Sequence, residues 1–142
     1  MDFLFVSDHI GLDFAATVSW RATHPVELLA EPDDLTRWLT EAGLSPHPDE
    51  ATRADLELAR ALREAAYRAA GACATRQPCD PADLALLNGF AARNPMRPVV
   101  TAAGAIAWSG GVEQGLSTVA RATCRLIGTA AHTRVRACAG HS

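Results

Sequence analysis

The fold of this chain is decided by one stretch in its C-terminal third, GGVEQGLSTVARATCRLIG (residues 110–128). Its mostly apolar residues recur at helical spacing and form the cleanest amphipathic stripe in the sequence: Val112, Leu116, Val119, Ala120, Thr123, Leu126 and Ile127. Because such a stripe must be buried, we expect a helix that begins at Val112, packs against the core and stops at Gly128. A short extended tail, Arg134–Cys138, is expected to follow.

Three more helices are predicted upstream from their start signals and apolar spacing. Glu31-Pro32-Asp33-Asp34 opens one and Asp80-Pro81-Ala82-Asp83 opens another, because Pro loses no hydrogen bond at the first helical position and acids suit the positive end of the helix dipole. Gly43 should end the first of these helices. After a linker at Ser45–Pro48, a long helix is expected from about Pro48 to about Ala72, with Glu64 and Arg68 paired on its wet face. The residues expected to be buried on these helices are Leu35, Trp38, Leu39, Leu56, Ala59, Leu62, Ala66, Ala69, Leu84, Leu87 and Phe90.

Shorter elements complete the predicted fold. Phe3–Val6 reads as a strand and Ile10–Trp20 as a helix. Pro98–Thr101 and Ala105–Trp108 read as a β-hairpin around Ala103-Gly104. The fold class is therefore mainly α with a small antiparallel β element (α+β), a helical bundle plus a β-hairpin. Four or five helices are expected to pack around Trp38, Leu62, Leu87, Leu116 and Val119.

Composition limits the classes of function. The formal net charge is −3, whereas a domain that grips DNA by itself is usually basic. The sequence shows neither a secretory signal nor an apolar run near the ~20 residues that cross a bilayer. None of the four Cys residues forms a C-x-x-C pair. We therefore expect a cytoplasmic chain with reduced thiols and no membrane partner.

The order of several motifs resembles the ABATE domain of stress-related bacterial transcription regulators. Residues 8–14 (DHIGLDF) with Thr17-Val18 are similar to the family's opening L-D-F-x-N-T pattern. Ala16 stands where the family has Asn, so any hydrogen bond made by that Asn cannot form here. Segments around Trp38 and Trp108 follow in the family's order, and Arg134–Cys138 is similar to the R-V-R-x-C that leads into a CGNR zinc finger.

The resemblance implies a division of labour along the chain. Residues 1–133 would form a sensory domain for an unidentified small-molecule effector, and residues 134–142 the start of a CGNR-type zinc finger. Cys138 looks like the first metal ligand of an incomplete site, because Cys138 and His141 are too few to close a structural zinc site. The resemblance thus implies that this chain holds no cofactor. Zinc and DNA would be bound only by the missing finger. A homodimer stays open.

One cluster of residues is the best candidate for a ligand site. His9, Asp13, Trp20 and Arg21 form a polar and aromatic set near the first helix, and Trp108 is a further candidate pocket residue. Asp13 lies among apolar neighbours and needs a partner if it is buried, which Arg21 or His9 could supply. Two interpretations stay open: a buried network that fixes the first helix, or a pocket with convergent polar groups.

Catalysis is not predicted. Ser7-Asp8-His9 contains the letters of a triad, but triad members converge in space rather than in sequence. Gly110-Gly111 could place a phosphate at a helix start, yet a hairpin terminator is favoured because the chain has no Gly-rich fingerprint and no Lys. The predicted function is a ligand-sensing domain of a transcription regulator. The alternative is a protein-interaction or dimerisation module.

Overall fold

The computed structural model describes residues 3, 5, 9–19, 21, 23–44 and 50–140, with residues 130–140 described by their backbone only. The helices of this part of the chain are α1 (Ile10–Ala15), α2 (Pro32–Glu41), α3 (Arg53–Ala74), α4 (Pro81–Ala91) and α5 (Val112–Gly140). The strands are β1 (Val18–Ser19), β2 (Val26–Glu27), β3 (Arg97–Val100) and β4 (Ile106–Ser109). They form two separate antiparallel pairs, β1–β2 and β3–β4, which confirms the α+β class.

Helix α5 lies against most of the other helices. α1, α3 and α4 all pack on it, and α2 touches it as well as α3. The predicted core is confirmed, because Trp38, Leu62, Leu87, Leu116 and Val119 are all buried. The ring of Trp38 lies 4.9 Å from that of Phe14, centroid to centroid, so α2 and α1 share one apolar centre.

The start signals of the helices act as predicted. The Glu31 and Asp34 side chains form a reciprocal capping box on α2, and Asp80 accepts a hydrogen bond from Ala82 N at 2.8 Å at the start of α4. Gly43 follows α2 with φ +76°, a conformation that favours glycine.

The long helix α3 begins later than the sequence suggested. Thr52 caps it, because its hydroxyl accepts from Asp55 N at 3.1 Å while the Asp55 carboxylate accepts from Thr52 N at 2.8 Å. The linker predicted at Ser45–Pro48 lies outside the described residues.

The prediction of a helix from Ile10 to Trp20 was wrong in its second half. α1 ends at Ala15, because the hydroxyl and the amide of Thr17 both bond to the carbonyl of Phe14, at 2.7 and 3.1 Å. Val18 and Ser19 then pair with Glu27 and Val26. Local side-chain bonding by Thr competes with helix here, and helical spacing of apolar residues could not reveal it.

Two details of the predicted helix surfaces were also wrong. Glu64 and Arg68 do not pair with each other: Glu64 binds Arg21, and Arg68 binds Asp83. Leu84 is exposed rather than buried, since it lies on the outer side of α4, whereas Leu87 and Phe90 face the core as predicted.

The stop predicted at Gly128 and the extended tail at Arg134–Cys138 were both wrong, because α5 continues to Gly140. Gly128 is not among the glycines with positive φ, so its backbone continues the helix. α5 also crosses the predicted domain boundary between residues 133 and 134 without a break, and that division stays a prediction. Phe3 and Phe5, the described residues of the predicted first strand, are not in a strand.

The β3–β4 hairpin was predicted correctly, within a residue at its ends. Its register pairs Pro98 with Trp108 and Val100 with Ile106. Because directly opposed residues share a face and side chains alternate along a strand, these four apolar residues lie on one face of the hairpin. None of the helices in the described part of the chain is long and apolar enough to cross a membrane.

Candidate functional site

Two of the predicted site residues belong to the first helix: His9 caps α1 and Asp13 lies within it. His9 is the N-cap of α1, and its Nδ1 accepts a hydrogen bond from Gly11 N at 3.1 Å. Because Nδ1 accepts in this bond, the proton of the neutral ring lies on Nε2. Asp13 is buried, and its backbone N–H donates to His9 O at 3.0 Å.

Arg21 links this helix to α3. Its guanidinium donates to both oxygens of Glu64, at 3.1 and 2.9 Å, and to the carbonyl of Ala15 at 3.1 Å. It also lies over the ring of Tyr67, 3.8 Å from the centroid. The hydrogen bonds and charge of Arg21, helped by the charge of Arg63, lower the pKa of Glu64 against the opposing effect of burial. Arg21 therefore holds the carboxyl end of α1 against α3.

A second arginine on α3 forms a buried ion pair that the sequence reasoning missed. Arg63 is 3% exposed, and its guanidinium donates to both carboxylate oxygens of Glu27, with Nη2 to Oε1 at 2.8 Å. A signal was present, because Arg63 lies four residues after Ala59 and three before Ala66, on the apolar face of the helix. A charge at such a position requires a buried partner.

A groove of about 340 Å³ lies between α1, α3 and α5, and we call it the α1/α3/α5 groove. This volume falls in the range of small-molecule sites. Gly11 makes the close approach of α1 to α5 possible, because a Cβ there would lie 2.5 Å from Thr123 Oγ1. The apolar lining is provided by Gly11, Leu12 and Ala15 of α1, Ala66, Ala70 and Gly71 of α3, and Leu126 of α5.

The polar groups of this groove come from Tyr67, Arg68 and Thr123. The Thr123 hydroxyl donates to Val119 O at 2.9 Å, one turn back in its own helix. Arg68 binds the buried carboxylate of Asp83 with Nε and Nη2, the shortest contact being 2.8 Å, and this hydrogen bond raises the pKa of Arg68. The groove is thus mostly apolar, and the Thr123 hydroxyl and the Nε and Nη2 atoms of Arg68 already have partners in the protein.

None of the predicted site residues is among the described lining of this groove; His9, Asp13 and Arg21 lie beside it, on or next to α1. Trp20 lies outside the described residues. Trp108 lies on β4, 44% exposed and opposite Pro98, and it does not line the groove among the residues described. The backbone of Cys138 lies in α5, and its side chain is outside the description. Among the described residues there is no group of three or more potential metal ligands.

A second cleft, of about 740 Å³, lies where the β3–β4 hairpin meets the start of α5. Its lining includes Gly110 and Gly111, the candidate phosphate position. Gly111 N donates to Gln114 Oε1 at 2.8 Å, so a side chain of the same helix already satisfies this amide. Gly110 has φ +153° and turns the chain from β4 into α5. This arrangement agrees with a hairpin terminator.

Comparison with known families gives one match. The family model ABATE, described as "Putative stress-induced transcription regulator", matches residues 8–130, which is most of the chain. The description is of a regulator and not of an enzyme. The matched range includes α1, Arg21, α3 and the described lining of the α1/α3/α5 groove. No curated protein and no solved structure matched the chain.

Proposed function

Because this chain belongs to the ABATE family of transcription regulators, we propose that its helical domain binds a small-molecule effector in the α1/α3/α5 groove. The observation that supports this most is the position of the groove on α5, the helix that continues to Gly140. A ligand in the groove would contact α1, α3 and α5 together. Its binding energy would therefore favour one packing of α5 over another.

The remaining partners belong to the same proposal. The acidic helical domain does not hold DNA; that contact is assigned to a zinc finger of the kind that the resemblance places after Cys138. The regulator would act in the cytoplasm, where effector and DNA are both available. His9 and Arg21 would act by holding the two ends of α1, so that the groove is formed before the ligand arrives.

Filling the groove tests this function. Gly71 lines the groove, and a Cβ at Gly71 would meet no atom within 4 Å, so Gly71→Leu can add bulk to the lining without a clash at Cβ. Gly89 on α4 has the same open surroundings but does not line the groove, which makes Gly89→Leu the matched control. The measurement is the melting temperature of the three proteins across a library of small apolar metabolites.

A ligand at one hundred times its Kd stabilises a protein by about 2.7 kcal/mol. At about 3 °C per kcal/mol for a chain of this size, the wild type and Gly89→Leu should melt about 8 °C higher with ligand. Gly71→Leu should show no rise. Equal rises in all three proteins, or none in the wild type, would refute binding in this groove.

Asp13 needs its own experiment, because it is buried on α1 but is not among the residues that line the groove. Asp13→Asn keeps the volume and removes the charge. Loss of the ligand-induced rise with an unchanged melting temperature of the free protein would assign Asp13 to ligand binding. A lower melting temperature of the free protein with the ligand response intact would assign it to the frame of α1.

The β3–β4 hairpin favours a second candidate function, a dimerisation module. Three residues of its apolar face are strongly exposed: Val100 74%, Ile106 68% and Trp108 44%. The paired residues on this face carry no charge, so two copies could pack face to face about a two-fold axis without like charges meeting. Ile106→Lys should then shift the mass measured by light scattering from dimer to monomer. Arg97→Lys, on the opposite face, should leave it unchanged.

A further inference from the structure

The α1/α3/α5 groove has hydrogen-bond donors at its edge that the described protein leaves available. No described residue bonds the hydroxyl of Tyr67, and none accepts from Nη1 of Arg68. Both side chains are fixed by other contacts. The Arg21 guanidinium lies 3.8 Å from the centre of the Tyr67 ring, and Asp83 holds the other side of the Arg68 fork. Donors held in this way lose little freedom when they bind an acceptor.

The rest of the groove suits an apolar body. Leu12 and Tyr67 are exposed large side chains beside small residues, and the space of about 340 Å³ would hold about eleven water-sized groups. Covering these side chains removes apolar surface from water, which favours binding. A ligand made only of polar groups would leave that gain unused.

The charged groups near Arg68 determine which ligand charge the groove favours. Asp83 already neutralises Arg68, with Nη2 and Oδ1 2.8 Å apart. Asp80 adds negative charge close enough to raise the pKa of Arg68. The carboxylate of Glu64 is itself paired with the guanidinium of Arg21, at 2.9 Å. A ligand carboxylate would lose water without finding an unpaired cation, because Arg68 and Arg21 are already paired with carboxylates. A ligand ammonium would lose water in an apolar groove that offers it donors instead of a free carboxylate.

We propose that the α1/α3/α5 groove binds a neutral, mostly apolar molecule with one carbonyl or hydroxyl oxygen, and that this oxygen accepts hydrogen bonds from Tyr67 and Arg68. The inference rests on the proposed function, since it names the chemical class of the effector for the same groove.

Three probes of similar size separate the classes: 2-octanone, octanoate and octylammonium. We expect 2-octanone to bind about tenfold more tightly than either charged probe in titration calorimetry, because only the neutral oxygen matches free donors beside charges that are already paired. Toluene, which has no acceptor oxygen, measures the contribution of the apolar body alone.

Two variants test the donors. Tyr67→Phe should weaken 2-octanone about two- to tenfold, the range for one hydrogen bond, and leave toluene unchanged. Arg68→Lys keeps the charge and loses the fork, so it should also weaken 2-octanone. A melting curve of each variant shows that the fold is intact.

The outcomes distinguish this inference from the function beneath it. The ligand class is overturned if octanoate or octylammonium binds more tightly than 2-octanone, or if Tyr67→Phe leaves the affinity for 2-octanone unchanged. In either case the groove function still stands if Gly71→Leu abolishes binding of the probes. Probes that do not bind the wild type, or that bind Gly71→Leu equally well, overturn the proposed function itself.

Discussion

Replacing Glu27 by Ala would leave the buried guanidinium of Arg63 without its carboxylate partner. Arg stays protonated at any pH at which the protein folds, so the charge cannot be relieved by titration. Removing one partner of a buried ion pair typically costs about 3–5 kcal/mol. Here the Glu27 side chain is 32% exposed, so water would reach part of the vacated space. We therefore expect the lower end of the range, about 3 kcal/mol of unfolding free energy.

Urea denaturation followed by circular dichroism measures this loss. The control is Glu57→Ala on the same α3 helix, because Glu57 is exposed and makes no ion pair in the described structure, and such surface changes stay within about 0.5 kcal/mol. A loss in Glu27→Ala no larger than in Glu57→Ala would refute the argument. It would show that Thr17 Oγ1 and Glu64, both 3.5 Å from Arg63, satisfy the guanidinium by themselves.

A double variant separates the buried charge from other effects of the mutation. Arg63→Met in the Glu27→Ala background removes the unpaired charge while keeping an apolar stem. The double variant should recover about 1 kcal/mol or more relative to Glu27→Ala, because the two residues are directly coupled. A further loss instead would mean that Arg63 stabilises α3 by packing and not through its charge pair.

Three further changes have expected outcomes of their own. Gly11→Ala would place a Cβ 2.5 Å from the buried hydroxyl of Thr123, and such overpacking costs about 1–3 kcal/mol. The Gly11→Ala protein should therefore unfold at lower urea than Gly89→Ala, in which only the gain in helix propensity of about 1 kcal/mol applies. Folding lowers the pKa of Glu64, so its carboxylate stabilises the protein above the ordinary pKa of 4.5, and this stabilisation is lost as the pH falls through the pKa of the folded state. The difference in melting temperature between wild type and Glu64→Gln should therefore persist at neutral pH and close in acid. Val119→Asp places a carboxylate at a buried position, and it should abolish the cooperative thermal transition in circular dichroism.

The helices and turns that are marked by short local motifs could be predicted from the sequence. The Pro32 and Pro81 starts, the left-handed Gly43 and the hairpin around Ala103-Gly104 each follow from residues within a few positions of one another. The ABATE resemblance drawn from the sequence is confirmed by the family match. These features depend on short-range backbone preferences, which a single sequence displays directly.

The parts that could not be predicted depend on contacts distant in sequence. Glu64 and Arg68 have the spacing of a helical pair, yet Arg21 and Asp83 offer each a better-placed partner from another element. The α1/α3/α5 groove needs small residues from helices far apart in the chain, so no motif marks it. Arg63 was the one detectable case, since a charge on an apolar helix face is visible in the sequence.

Because α5 is long, a ligand bound in the groove as proposed could move the far end of the helix through a small tilt. The helix has 29 residues and so measures about 43 Å, at about 1.5 Å per residue. Gly140 lies about 25 Å beyond Thr123, where the groove touches the helix. A tilt of about 5° around Thr123 would displace the far end by about 2 Å. If the proposed ligand and a partner at the far end favour different tilts of α5, each must change the affinity of the other by the same free energy.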